Sequence, residues 1–193
     1  DARCAAIAEL EAGEMLGITQ GLVLTFGTGV GGGIIVNGDI YKGGHLIAGE
    51  VSVIYSKDKD AYGSKGLFGA IGSVKNLVKE IADAKGIDTQ NGEEVFEWIK
   101  HKDEISTRIF ERYCDEVIQE LHNIQCLLDP QRICIGGGAS ENPVFIEGLK
   151  KASEKFYSTF PFKFPHADIV KCKYCNNANI LGAYFHYKRS HAS

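Results

Sequence analysis

No apolar run in these 193 residues approaches the ~20 that a membrane-spanning helix needs, so no span and no membrane partner are expected. Basic residues are not in excess: 21 Lys and Arg face 25 Asp and Glu, a net charge of −4 with a pI near 5.9. That balance argues against a broad nucleic-acid-binding face, and no helix-turn-helix pattern, internal repeat or low-complexity linker occurs. No secretory leader is visible, although the first residue is Asp1 and not Met, which leaves room for sequence upstream. The six cysteines (Cys4, Cys114, Cys126, Cys134, Cys172, Cys175) fall inside apolar or helical patterns, so they read as reduced thiols of a cytoplasmic protein and not as a disulfide framework. Cys172-Lys-Tyr-Cys175 has the spacing of half a zinc site, but no second cysteine pair accompanies it. Between Ser52 and Lys65 there is neither Cys nor His. The four N or S ligands of tetrahedral zinc are not available there, and no metal held by protein side chains is expected.

What is present is organised around residues 22–38. An apolar run at 22–26 reads as a buried strand and breaks at Gly27-Thr28-Gly29. A second apolar run, 34–36, closes on Asn37-Gly38, a strong hairpin signal because both turn positions need φ > 0. A turn with so few Cβ atoms lets a guest approach the backbone and meet several N–H groups, and phosphate is the usual guest. The same glycines also fit a tight corner in a sheet, and Thr28 fits both a phosphate contact and a cap of its own turn. Strands are expected near 22–26, 32–36, 40–41, 132–135 and 168–174. Helices are expected over 66–85, 93–100, 103–128, 142–157 and 177–189, with Trp98 in the core. Residues 1–15 have helical composition, and Asp1 sits where an N-cap would sit. The strand at 132–135 runs into Gly136-Gly137-Gly138 ahead of a helix, which is where an open α/β sheet receives ligands. Glu50, in a glycine-rich loop, reads by default as a solvated charge.

Four stretches carry a resemblance. The run from Phe26-Gly-Thr-Gly-Val-Gly-Gly-Gly to Gly44, followed by Ile47-Ala-Gly-Glu50, resembles the signature region of the ROK family of bacterial sugar kinases. Asp1-Ala-Arg-Cys-Ala-Ala-Ile-Ala-Glu9 resembles the family helix headed by the catalytic aspartate. Ile133-Cys-Ile-Gly-Gly-Gly-Ala139 is similar to the adenosine-side turn, and Asn179-Ile-Leu-Gly-Ala183 to the closing helix. The resemblance implies an α/β fold: a ribonuclease-H-like lobe of the actin/hexokinase ATPase type, a mixed sheet flanked by helices. It makes residues 1–193 the carboxyl-terminal lobe of a two-lobe sugar kinase, with the amino-terminal lobe absent.

The implied activity is ATP-dependent phosphorylation of a hydroxyl on a sugar of the glucose or β-glucoside class, with Mg²⁺ on the nucleotide and the small-molecule sugar as partner. Asp1 then acts as general base, Glu50 and His45 face the sugar, Gly27, Thr28 and Gly29 the phosphates, and Gly136, Gly137 and Gly138 the adenosine. Relatives often form homodimers. The sequence departs from the family where a histidine usually follows three residues after the glutamate, since Val53 stands there, and where a cysteine-rich zinc loop usually follows. Both departures fit the β-glucoside kinase-like branch better than a zinc-bearing glucokinase. The alternatives are a sugar-sensing ROK-type transcriptional repressor whose DNA-binding region lies upstream, and a silent carbohydrate-binding remnant. With no first phosphate motif between Asp1 and Ser193, the 193 residues alone are expected not to turn over ATP and sugar at a useful rate.

Overall fold

The structure is a computed structural model and describes residues 2–56, 64–175 and 178–191. Its centre is a five-stranded sheet in the order β3-β2-β1-β4-β5. β1 (Gln20–Phe26), β2 (Val30–Val36) and β3 (Asp39–Tyr41) form an antiparallel meander, while β1 pairs in parallel with β4 (Arg132–Gly136), and β4 with β5 (Asp168–Lys171). This is the mixed sheet of a ribonuclease-H-like lobe that the resemblance implies.

The period of two along each strand sorts its side chains between two cores. Leu22, Leu24, Phe26, Ile133, Ile135 and Ile169 pack with α3 (Val74–Lys85), α4 (Gly92–Lys100), α5 (Glu104–Leu128) and α6 (Pro143–Tyr157). Val23, Ile35 and Cys134 pack on the other face with α1 (Ala2–Ala12) and the start of α7 (Ala178–His191). Because helices cover both faces, β1 reads as a continuous apolar run and not as an alternating one. Phe145 anchors the first core, with its ring 5.5 Å from that of Phe26 and 6.1 Å from that of Phe96. On the other face α1 and α7 cross so closely that a Cβ at Gly182 would overlap the backbone of Cys4.

The punctuation of the sequence is physical. Asn37 and Gly38 both take positive φ, 54° and 74°, as a type I′ hairpin requires. Asn91, Asp103 and Asn142 cap α4, α5 and α6 through their side chains, and Pro143 opens α6. Gly86 and Asp129 stop α3 and α5 in the left-handed conformation. Asp103 also accepts Lys85 Nζ at 2.6 Å, tying the end of α3 to the head of α5. Lys85, and after it Ser106, hold the Asp103 carboxyl well below the usual carboxylate range. A depressed carboxylate contributes stability above its unfolded-state pKa and loses it as pH falls through the folded value, so this tie persists at neutral pH and fails only in strong acid.

Three expectations need correction. The helix expected over 66–85 breaks at Gly72 and Ser73 into α2 (Phe68–Ile71) and α3. A Cβ at Gly72 would meet Val30 Cγ2 at 2.5 Å, and Ser73 starts a new helix by accepting Asn76 N–H at 3.2 Å, so tertiary packing overrides a continuous helical period. The strand expected over 168–174 ends at Lys171, where Cys172 still donates its N–H to Ile135 but the chain then turns. Trp98 is half-buried against the edge of the core, with Lys85 Nζ 4.9 Å from its ring centre, and not inside it. Asp1 and Asn177 lie outside the described residues, as does 57–63 within the loop expected to lack zinc ligands. Among the described residues, no helix is long and apolar enough to cross a membrane.

Candidate active site

The seven-residue glycine-rich run after β1 has two distinct halves. Gly31, Gly32 and Gly33 lie inside β2 and are small because something presses on them: a Cβ would meet Ala2 Cβ at 2.8 Å at the first, overlap Gly49 O at the second, and meet Ala6 Cβ at 2.6 Å at the third. These glycines let α1 and the 42–50 loop lie on the sheet. Gly27 is different, because a Cβ there would have no neighbour within 4 Å. The turn end of the run is therefore open while its strand end is packed.

The β4 turn divides the same way. A Cβ at Gly136 would sit 3.1 Å from Cys172 Sγ, and one at Gly137, whose φ is +84°, would overlap the backbone of Phe26. Gly138 faces open space. Parallel pairing of β1 with β4 brings the carboxyl ends of both strands side by side, with Thr25 opposite Gly136. Gly27, Thr28 and Gly138 consequently line one groove of about 960 Å³, closed on the far side by α3 and the 86–92 connection. Gly29, Gly136 and Gly137 are not among its lining residues, although Gly29 directly follows Thr28 in the turn.

The groove's turn is held from outside. Ser73 Oγ donates to Thr28 O at 2.8 Å, and Val74 N–H donates to Gly27 O at 2.9 Å. The start of α3 therefore spends its amides on the turn and does not aim them at a ligand. Gly27 N–H is spent on Gly29 O at 3.0 Å, which leaves Thr28 and Gly29 as the amides of this turn suited to an anionic guest. Lys75, Lys79 and Asp83 present the polar side of α3 to the groove, with Lys79 paired to Asp83 at 3.0 Å. The expectation of a helix over 66–85 named none of these residues; their spacing of four along one helix face was the available signal.

The second group lies around the head of α1. Arg3 Nη2 donates to Leu46 O and to Ala48 O (3.2 Å for the latter) and sits 3.7 Å from Glu50 Oε1. Glu50 is exposed, with its carboxylate beside Arg3, and His45 is exposed on the same loop. Since Gly31 lies beside Ala2, the head of α1 is at the turn end of the sheet, and α1 runs away from it toward Gly33 and Ala6. The 42–50 loop and the open glycine turn thus flank the end of α1 that follows Asp1 in sequence. The amides of Thr28 and Gly29, the lysines of the groove wall and the carboxylate of the 42–50 loop are groups of the kinds that phosphoryl transfer draws on.

The family model for the ROK family matches residues 1–190. A beta-glucoside kinase of Listeria monocytogenes is 32% identical over 190 residues, covering 97% of this chain and 63% of that protein. An N-acetylmannosamine kinase of Haemophilus influenzae is 28% identical over 191 residues, covering 97% of this chain and 61% of that protein. A ROK family protein from Streptococcus pneumoniae, solved in complex with sucrose, superposes with a TM-score of 0.89 at 28% identity, over 98% of this chain and 64% of that one. The chain thus spans under two thirds of the length of these relatives.

Proposed function

The chain belongs to the ROK family, and from that premise we propose that residues 1–193 are the carboxyl-terminal lobe of a two-lobe kinase that moves the γ-phosphoryl group of ATP to a sugar hydroxyl. The observation that carries this reading is the convergence of Gly27, Thr28 and Gly138, from opposite halves of the sequence, on one groove. At Gly27 and Gly138 the space a Cβ would fill is empty, so a nucleotide backbone can come within contact of the chain there. ATP supplies the phosphoryl group, and Mg²⁺ offsets the charge of its phosphates. Thr28 and Gly29 offer amides to those phosphates, Gly138 lies under the adenosine, and Lys75 and Lys79 add positive charge along the wall. Glu50 and His45 orient the sugar, and Asp1 takes the proton from the attacking hydroxyl as its oxygen bonds to phosphorus.

The sugar is of the glucose or β-glucoside class, a reading supported by the name of the Listeria relative and by Val53 in place of the usual histidine. Coupled ADP release by the two-lobe protein, assayed against glucose, β-glucosides and N-acetylmannosamine, tests it. A kcat of about 1–100 s⁻¹ on glucose or a β-glucoside is expected. The 193 residues alone should stay below about 1 s⁻¹, because half a cleft cannot exclude water or hold the reacting oxygens in line. Sugar binding without any sugar-stimulated ADP release from the two-lobe protein would favour a sensor or a silent binder instead. Preference for N-acetylmannosamine would move the substrate class.

A further inference from the structure

Behind the sheet, away from the groove, Glu9, Cys134 and Cys172 each place a ligand atom within 4.8 Å of the other two. The place is closed to solvent, with Glu9 and Cys134 at 0% and Cys172 at 2% exposure. Each member comes from a different segment whose backbone is fixed. Glu9 lies on α1, Cys134 in the middle of β4, and Cys172 just past β5, where its N–H donates to Ile135 O at 2.8 Å. Glu9 is aimed: its Oε2 accepts Glu14 N–H at 2.8 Å and its Oε1 accepts Tyr174 N–H at 2.9 Å. A carboxylate oxygen has a second lone pair, so both oxygens can still serve as ligands. Cys175, the sequence partner of Cys172, takes no part; its thiol donates to Cys172 O at 3.2 Å.

We infer that Glu9, Cys134 and Cys172 form a binding site for a soft divalent cation of the zinc and cadmium class. Two thiolates and a carboxylate are the donor set such ions prefer over Mg²⁺ or Ca²⁺, which take oxygen alone. Zinc–sulfur bonds of about 2.3 Å in tetrahedral geometry put two sulfurs about 3.8 Å apart, so the trio closes on an ion with side-chain shifts of the order of an ångström. On binding, the ion forms bonds to both sulfurs and to Glu9, and the two thiol protons leave to solvent. Two positive charges against three negative ones leave the buried site with a single negative charge, which the N–H groups of Glu14 and Tyr174 face through Glu9. In the metal-free state the hydrogen bond to Cys134, followed by burial, pushes the Cys172 thiol far up. No spacing in the sequence announces this trio; parallel pairing of β4 with β5 beneath α1 assembles it.

An occupied site would tie the helix that follows Asp1 to the strand that ends in Gly136. The test is titration of the chelated 193-residue chain with Cd²⁺, followed by thiolate-to-metal charge-transfer absorption in the near ultraviolet. One Cd²⁺ per chain and a rise in thermal midpoint on binding are expected. Cys134→Ser and Cys172→Ser should each abolish the band, while Cys126→Ser, at an exposed position of α5, should keep it. X-ray absorption of the wild-type complex reads the ligands without any variant and should show two sulfurs with oxygen. No band in the wild-type chain, a band that survives in the Cys134→Ser/Cys172→Ser double variant, or an ion with no sulfur neighbours would overturn the assignment.

Discussion

Replacing Asp1 by Asn in the two-lobe protein is expected to lower kcat by about 10²–10⁴, the usual loss on removing a general base, while ATP affinity changes by no more than a few-fold. Asn keeps the size of the side chain but cannot accept the proton of the sugar hydroxyl, so the change isolates the chemistry from the fold. Asp1 is outside the described residues, but what surrounds its neighbours supports the role. Ala2 stands against Gly31 at the turn end of the sheet, and Arg3 reaches back to the loop that carries Glu50. The head of the helix is thereby set between the open glycine turn and the 42–50 loop. Steady-state kinetics with the best sugar of the panel provide the measurement, and a fall in kcat of less than tenfold would remove Asp1 from the mechanism.

The second large effect separates two adjacent glycines. Gly137→Ala puts a Cβ onto the backbone of Phe26 at a φ of +84°. The conformational strain costs about 1–3 kcal/mol, and forcing the strands apart about 1–3 more. For a chain of this size the thermal midpoint should fall by roughly 10 °C. Gly138→Val starts from a Cβ with no neighbour within 4 Å at an exposed position, and should leave the midpoint within a degree or two of wild type. It should nevertheless weaken ATP by tenfold or more, since its side chain occupies the space assigned to the nucleotide. Thermal melts and ATP titrations of both variants in the 193-residue chain check the pair. Unchanged ATP affinity in Gly138→Val would mean that the β4 turn packs the sheet and touches no ligand.

What could be read from the sequence was what neighbours along the chain decide. Asn37-Gly38, Gly86 and Asn142-Pro143 mark their turns and caps because the required φ or hydrogen bond is local. Strand positions followed from apolar runs and glycine turns, whereas the sheet order β3-β2-β1-β4-β5 came from the structure. What escaped depends on distant contacts. The break at Gly72 answers Val30, Ser73 holds Thr28, and Cys172 finds Cys134 across a sheet register, none of which leaves a periodic trace. The glycine run shows the limit most clearly. Seven residues of similar composition divide into packing glycines at 31–33 and an open turn at 27, and the positions of α1 and of Gly49 tell them apart. The lining of the groove was legible at Gly27, Thr28 and Gly138; its third wall, with Lys75, Lys79 and Asp83, lies on a helix surface that the sequence does not single out.

The central claim is that the two glycine turns jointly hold the nucleotide. Amide NMR of this 21.1 kDa chain during a titration with Mg²⁺ and a non-hydrolysable ATP analogue tests it residue by residue. The account predicts that the amides of Thr28, Gly29 and Gly138 shift together along one saturation curve, with Lys75 following on the facing helix, while Gly31, Gly33 and the buried strand residues stay in place. Shifts confined to one turn, or gathered on a surface away from the groove, would contradict it.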